Sequence, residues 1–145
     1  MAVSAKYYGL FFKSLCNKEI DIDTDTLKLM LCTSAYTPNQ DTHQYKSSVT
    51  NEVTGVGYTA GGATVGSIAI AYNAGTNVLS IDGADVTWAA SSITARYAVL
   101  YDSSPATDAT RPLVGYVDFG ADVTSTAANF AVVWDAGGIA TVTVS

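Results

Sequence analysis

One stretch in the middle of this chain carries apolar side chains on both alternating positions. Ala95, Tyr97, Val99 and Tyr101 share one parity, and Ala98 and Leu100 hold the other. A strand that is apolar on both faces is one enclosed within a packed sheet. A second apolar run, residues 113–119, follows across a loop of Ser, Thr, Asp and Pro. Strands over 94–101 and 113–119 are therefore expected at the centre of the fold.

The remaining pattern surrounds this pair. Tyr8, Phe11, Phe12 and Leu15 recur at three- and four-residue spacing, which predicts a helix over 3–18 with Ser4 as its cap. Gly9 weakens that helix by about 1 kcal/mol against alanine, so its aromatic face has to dock, on its own sheet or on a neighbour. Residues 27–33 alternate with Leu27, Leu29, Leu31 and Thr33 on one face, and 36–45 read as a long surface loop. Residues 55–66 are rich in glycine, which suits turns and bulges between strands. Further strands are predicted over 65–72, 78–81, 86–89, 129–134 and 139–144. The turns include Asn73 to Gly75, Asp82-Gly83 and Asp135 to Gly138, the last making a closing hairpin. The expected fold is mainly β: one domain over 1–145, with one N-terminal α-helix at about 3–18 and an antiparallel β-sandwich or jelly roll over about 27–145.

Composition changes this picture in one respect. A chain of 145 residues can bury roughly two thirds of its unfolded surface, enough for its own core. Only 14% of its residues are charged, against about 25% in an average soluble domain, while 48% are hydrophobic. Such a surface is either covered by a partner or built from Ser, Thr and Gly. The net charge of −6, with five of the seven basic residues in the first third, would repel phosphate backbones and argues against nucleic acid. No apolar run approaches the roughly 18 residues of a membrane span, so a soluble chain without a membrane partner is expected. Cys16 and Cys32 lack C-x-x-C spacing and read as free buried thiols, with a disulfide left open.

Candidate chemistry is sparse. Asp21, Asp23 and Asp25 open like a calcium loop, but Thr26 and Cys32 stand where its glycine and bidentate glutamate belong, so no metal is expected. His43 near Asp41 has no nucleophile motif beside it, and no Lys-Ser/Thr follows the glycines of 55–66. Asp82, Asp85, Asp102, Asp118 and Asp135 fall in turns or near strand ends, where carboxylates stay solvated. No catalytic residue and no cofactor is assigned, and a non-enzymatic protein is expected. Trp88 and Trp134 sit on patterned strands and read as core. Tyr36, Tyr45 and Tyr58 in loops, with Tyr8, Phe11 and Phe12 on the helix, are the candidate interface residues.

Four segments carry a resemblance: 27–43, 51–63, 87–101 and 134–139. Its most specific parts are Glu-Val-x-Gly-x-Gly-Tyr-x-x-Gly-Gly from Glu52 to Gly62, and Ala-Arg-Tyr-Ala from Ala95 to Ala98. Over most of 3–144 the chain resembles small structural proteins encoded among the virion genes of tailed bacteriophages. That resemblance implies a virion component made in the host cytoplasm, present in many symmetric copies as a dimer or trimer. Its partners would be phage capsid proteins, as a cement or decoration protein, or alternatively neck, tail or fibre proteins, where tyrosine-bearing loops could bind host glycan.

Overall fold

A computed structural model describes residues 2–145. In chain order the elements are β1 (Ser4–Tyr7), α1 (Gly9–Cys16), β2 (Leu27–Cys32), a 3-10 turn (Lys46–Ser48), β3 (Ala63–Thr64), β4 (Ala69–Asn73), β5 (Val78–Asp82), β6 (Val86–Asp102), β7 (Leu113–Val132) and β8 (Ala140–Thr143). They make an antiparallel β-sandwich of two unequal sheets, ordered β1-β7-β6-β2-β3 and β4-β5-β8. The mainly β class and the single α-helix match the expectation.

β6 lies third of five in the larger sheet, which explains its two apolar faces. Ala98 and Leu100 face the core between the sheets, with Leu29, Leu31, Val114 and Ile81. Val99 and Tyr101 face the opposite way, into a second apolar layer with Met30, Leu113, Tyr8 and Tyr36. Ala95 departs from its expected parity and joins the inter-sheet core, because the β6–β7 ladder slips between Ala95 and Tyr97. A slip of one residue moves a side chain to the other face.

Several boundaries differ from those the pattern predicts. The helix is α1 alone, and residues 4–7 are instead an edge strand paired antiparallel with β7, Ser4 opposite Asp118 and Tyr7 opposite Gly115. Ser4 therefore caps nothing; the cap position is Tyr8, in extended conformation and without a side-chain capping bond. Eight residues of uncapped helix are too few to stand alone, so α1 depends on burying Phe11. The segments 86–89 and 94–101 are one strand of 17 residues, and 113–119 with 129–132 belong to one of 20. Their polar middles stay in the ladder through bulges: Ala90 and Ala127 take positive φ (48° and 47°), and the buried Ser91 and Ser125 hydroxyls bond each other at 2.8 Å. Of the strand expected over 65–72 only 69–72 is extended in a sheet, within β4 of the smaller sheet; β3 of the larger sheet ends before it at Thr64, with Ser67 at φ 53° between the two. The closing hairpin reduces to the Asp135–Gly138 turn, since β8 pairs with β5 rather than β7.

The glycine-rich segment works as a backbone pad, as its reading as turns implies. Gly62, at φ 78°, crosses β2 so closely that a Cβ would overlap the Leu29 carbonyl. Gly57, also at φ 78°, lies against β6, where a Cβ would stand 2.8 Å from Ser91 Cα. Only a residue without a side chain fits either place.

Candidate interaction surface

The six aromatic residues singled out from the sequence divide by burial. Tyr8, Phe11 and Tyr36 are 0%, 1% and 1% exposed, so their rings are spent inside the chain and cannot form an outer contact surface. Tyr8 and Tyr36 stand on opposite sides of one packed layer, their hydroxyls 2.8 Å apart, and His43 Nδ1 lies 3.0 Å from the Tyr36 hydroxyl. Burial pushes the Tyr8 phenol up, with Tyr36 adding to it, and pushes Tyr36 up to about 12. Burial also holds His43 below its ordinary range. Both phenols stay protonated in this setting, and the row pins the loop over 33–45 onto the outer face of the larger sheet.

Tyr58 and Tyr45 are half-buried and hydrogen-bonded. The Tyr58 hydroxyl donates to Glu52 at 2.7 Å and accepts from Leu31 N at 3.0 Å, and its ring packs 5.9 Å from that of Trp88. Tyr45 donates to Glu19 Oε2 at 3.0 Å, within a set of bonds that also includes Ser14 and Gln44. Phe12 alone of the six presents a large exposed ring, 41% accessible. Periodicity could not separate Phe11 from Phe12, because adjacent helical positions sit about 100° apart and either can meet the sheet. The two tryptophans also divide: Trp88 is core, whereas Trp134 is half-buried past the end of β7, its Nε1 donating to Ala84 O at 2.9 Å. Of the cysteines, both free, Cys32 is buried and pushed up to about 12 by that burial, while Cys16 is exposed, contrary to its reading as a buried thiol.

Two recesses flank the sandwich. One, of about 220 Å³, opens between β1, β7 and β8, walled by Tyr7, Leu100, Val117, Trp134 and Ile139. The Tyr7 hydroxyl bridges the two sheets there by donating to Thr141 O at 3.0 Å. The other gathers Lys28, Lys46 and Arg111 around Tyr101. Asp108 takes both Lys46 and Arg111, at 2.8 and 2.7 Å, and these cations hold its carboxyl below the usual range.

The broadest unpartnered feature is the arm formed by 86–95 of β6 and 120–132 of β7. Pattern reading missed it by breaking both strands at their polar middles. The outer edge of β6 here is covered by the Gly57 loop, with a Val56–Ser92 bridge and Ser92 N donating to Val56 O at 2.9 Å. The outer edge of β7 beyond Asp118 has no strand partner among the described residues. Across 86–95 and 120–134 the sole charged side chain is Asp122, and Val123 and Val133 are 42% and 70% exposed. A long edge with one charge is open to pairing with another chain, since lysines that normally block it are missing. The one signal available in the sequence was that absence of charge.

Comparison with protein families, curated sequences and solved structures finds no match for this chain.

Proposed function

We propose that this protein is a non-enzymatic structural component of a bacteriophage virion, a cement or decoration protein that self-associates and bridges capsid subunits. The observation that carries this reading is the β6–β7 arm, which bears one charged side chain and whose long β7 edge offers unpaired backbone groups and exposed valines to a neighbour. Edge pairing in a symmetric shell repeats one contact many times, so even a modest contact per copy adds up across the particle. The sequence resemblance supplies the phage setting, and exposed Phe12 supplies a second apolar contact beside α1.

The test is the copy number per purified particle, measured by quantitative mass spectrometry against the major capsid protein. Copies on the order of hundreds are expected for a shell protein, whereas about three to a few dozen would move it to the neck, tail or fibre. Absence from the particle would overturn the virion reading. In parallel, Val123→Lys with Val133→Lys is expected to abolish binding to shells while leaving the melting temperature of the free protein nearly unchanged.

A further inference from the structure

The connection between α1 and β2 is fastened to the far end of β6 by bonds that converge on two carboxyl groups. Leu27 is the register partner of Asp102. Ser103 donates to Thr26 O twice, from N at 2.9 Å and from Oγ at 2.8 Å, and Thr26 N donates to Ser104 Oγ at 2.8 Å. These bonds bring the Asp25 carboxyl into hydrogen-bonding reach of Asp102, which is fully buried. The expectation that Asp102 stays solvated is thus corrected.

Counting acceptors and donors shows what is missing. Asp102 Oδ1 accepts from Ser104 N at 2.8 Å, and Asp25 Oδ2 accepts from Asp21 N at 2.7 Å. Asp102 Oδ2 is buried without any donor, and the Asp25 carboxyl lies within reach of the same side chain. The cations nearby look elsewhere. Lys28 pairs in register with Tyr101 on the other face of the sheet, and Lys46 and Arg111 are held by Asp108. From the loop itself, exposed Asp21 and Asp23 add only negative charge, and the start of β7 presents the Pro112 carbonyl, which accepts from Asp102 N at 2.9 Å.

Two carboxylates in contact, one of them fully buried, cannot both stay ionised without a counter-charge. We propose that the buried Asp102 carboxyl keeps its proton and donates it to the Asp25 carboxylate, a hydrogen bond that latches the 20–26 loop to the end of β6 and loosens as pH rises. One free oxygen on each side suits one shared proton, whereas a calcium ion takes about six to eight oxygens. The direction of titration agrees: burial first, then the Asp25 charge, raises Asp102 above the ordinary carboxylate range. A group raised in the folded state stabilises fully below its unfolded pKa of about 3.9 and loses that contribution as pH climbs through the folded value. The loop carries Ile20 and Ile22 into the inter-sheet core, so opening the latch would loosen the packing beneath α1.

Asp102→Asn and Asp25→Asn, made separately, each replace the shared proton with an amide N–H. The wild-type melting temperature is expected to fall relative to both variants as pH rises above the ordinary carboxylate range, and the variants lack that dependence. Carbon-13 NMR of the wild-type carboxyls is expected to find one aspartate titrating well above the ordinary range, a reading that needs no variant to fold. Parallel pH profiles for the wild type and the variants, with every aspartate titrating normally, would overturn the proposal. Calcium raising the melting temperature of wild type at pH 8 but not of Asp102→Asn would also overturn it, in favour of a cation site.

Discussion

The two halves of the β6–β7 ladder are made by the same two strands and differ in what surrounds them. Residues 96–102 with 113–119 are flanked by β2 and β1 and sheathed on both faces, so Ala98, Val99 and Leu113 are wholly buried. Residues 86–95 with 120–132 bury one face, through Trp88, Ile93 and Phe130, and leave the other to Thr87, Thr94 and Thr124 in solvent. Inward positions of the second half are apolar except for the bonded Ser91–Ser125 pair; outward positions are small, with Asp122 the one charge, instead of aromatic. The first half is a finished core, and the second is finished on one side only. In a chain of net charge −6, this edge carries a single charge, Asp122.

That contrast is broken most readily by truncation. Leu100→Ala is expected to cost about 2–5 kcal/mol in urea denaturation, because the inter-sheet core cannot close over the lost volume. Thr87→Ala, on the arm's open face, is expected to stay within about 0.5 kcal/mol. Equal losses would mean that the arm's open face supports the fold as strongly as the embedded half does.

A sharper comparison sets the two edges of the arm against each other. Gly57→Ala forces a Cβ toward Ser91 and strains a positive φ, so the pad should lift from β6 at a cost of about 1–3 kcal/mol. The variant should then expose a second free edge, visible as faster hydrogen exchange at Ser92 N than in the wild type. Unchanged exchange at Ser92 would show that the pad contributes nothing to covering that edge.

The smallest effect is expected where the halves join. Arg96 Nε donates to Asp118 Oδ1 at 2.7 Å, and the same oxygen accepts from Gly120 N at 2.8 Å, on the stretch where β7 carries its extra residues. The Arg96 guanidinium holds the Asp118 carboxyl below the usual range. A depressed carboxyl stabilises above its unfolded pKa of about 3.9 and loses that contribution as pH falls through the folded value. Asp118→Asn should therefore lower the melting temperature slightly at pH 7, with the gap to wild type closing in acid. Asp102 runs the other way, which separates the two carboxyls in a single pH series.

Much of the fold was legible in the chain. Alternation in 27–33 and 78–81, the two-faced pattern of 95–101 and the Asp-Gly and Asn-x-Gly turns gave strands close to those observed. Residues 4–7 misled because a helical spacing that begins at Tyr8 was extended backward into Ser-Ala-Lys-Tyr, whose structure comes from the edge of β7. Of the candidate interface residues, Phe12 remains on the surface while Tyr8, Phe11 and Tyr36 do not, since aromatic residues in loops and on helices serve cores and contacts alike.

The order of apolar and polar residues determined by itself that this is a β chain with one N-terminal helix, a doubly covered central strand and a surface poor in charge. Those are local properties, set by side-chain period, turn chemistry and hydrophobicity within a few residues. Tertiary structure alone decided that the polar middles of β6 and β7 stay in the ladder and that β8 leaves its neighbour for β5. It alone brought Asp25, just before the start of β2, to Asp102 at the paired end of β6. Each of these depends on a partner distant in sequence, a bulge matched by a bulge or a carboxyl met by a carboxyl, and no window along the chain contains both members.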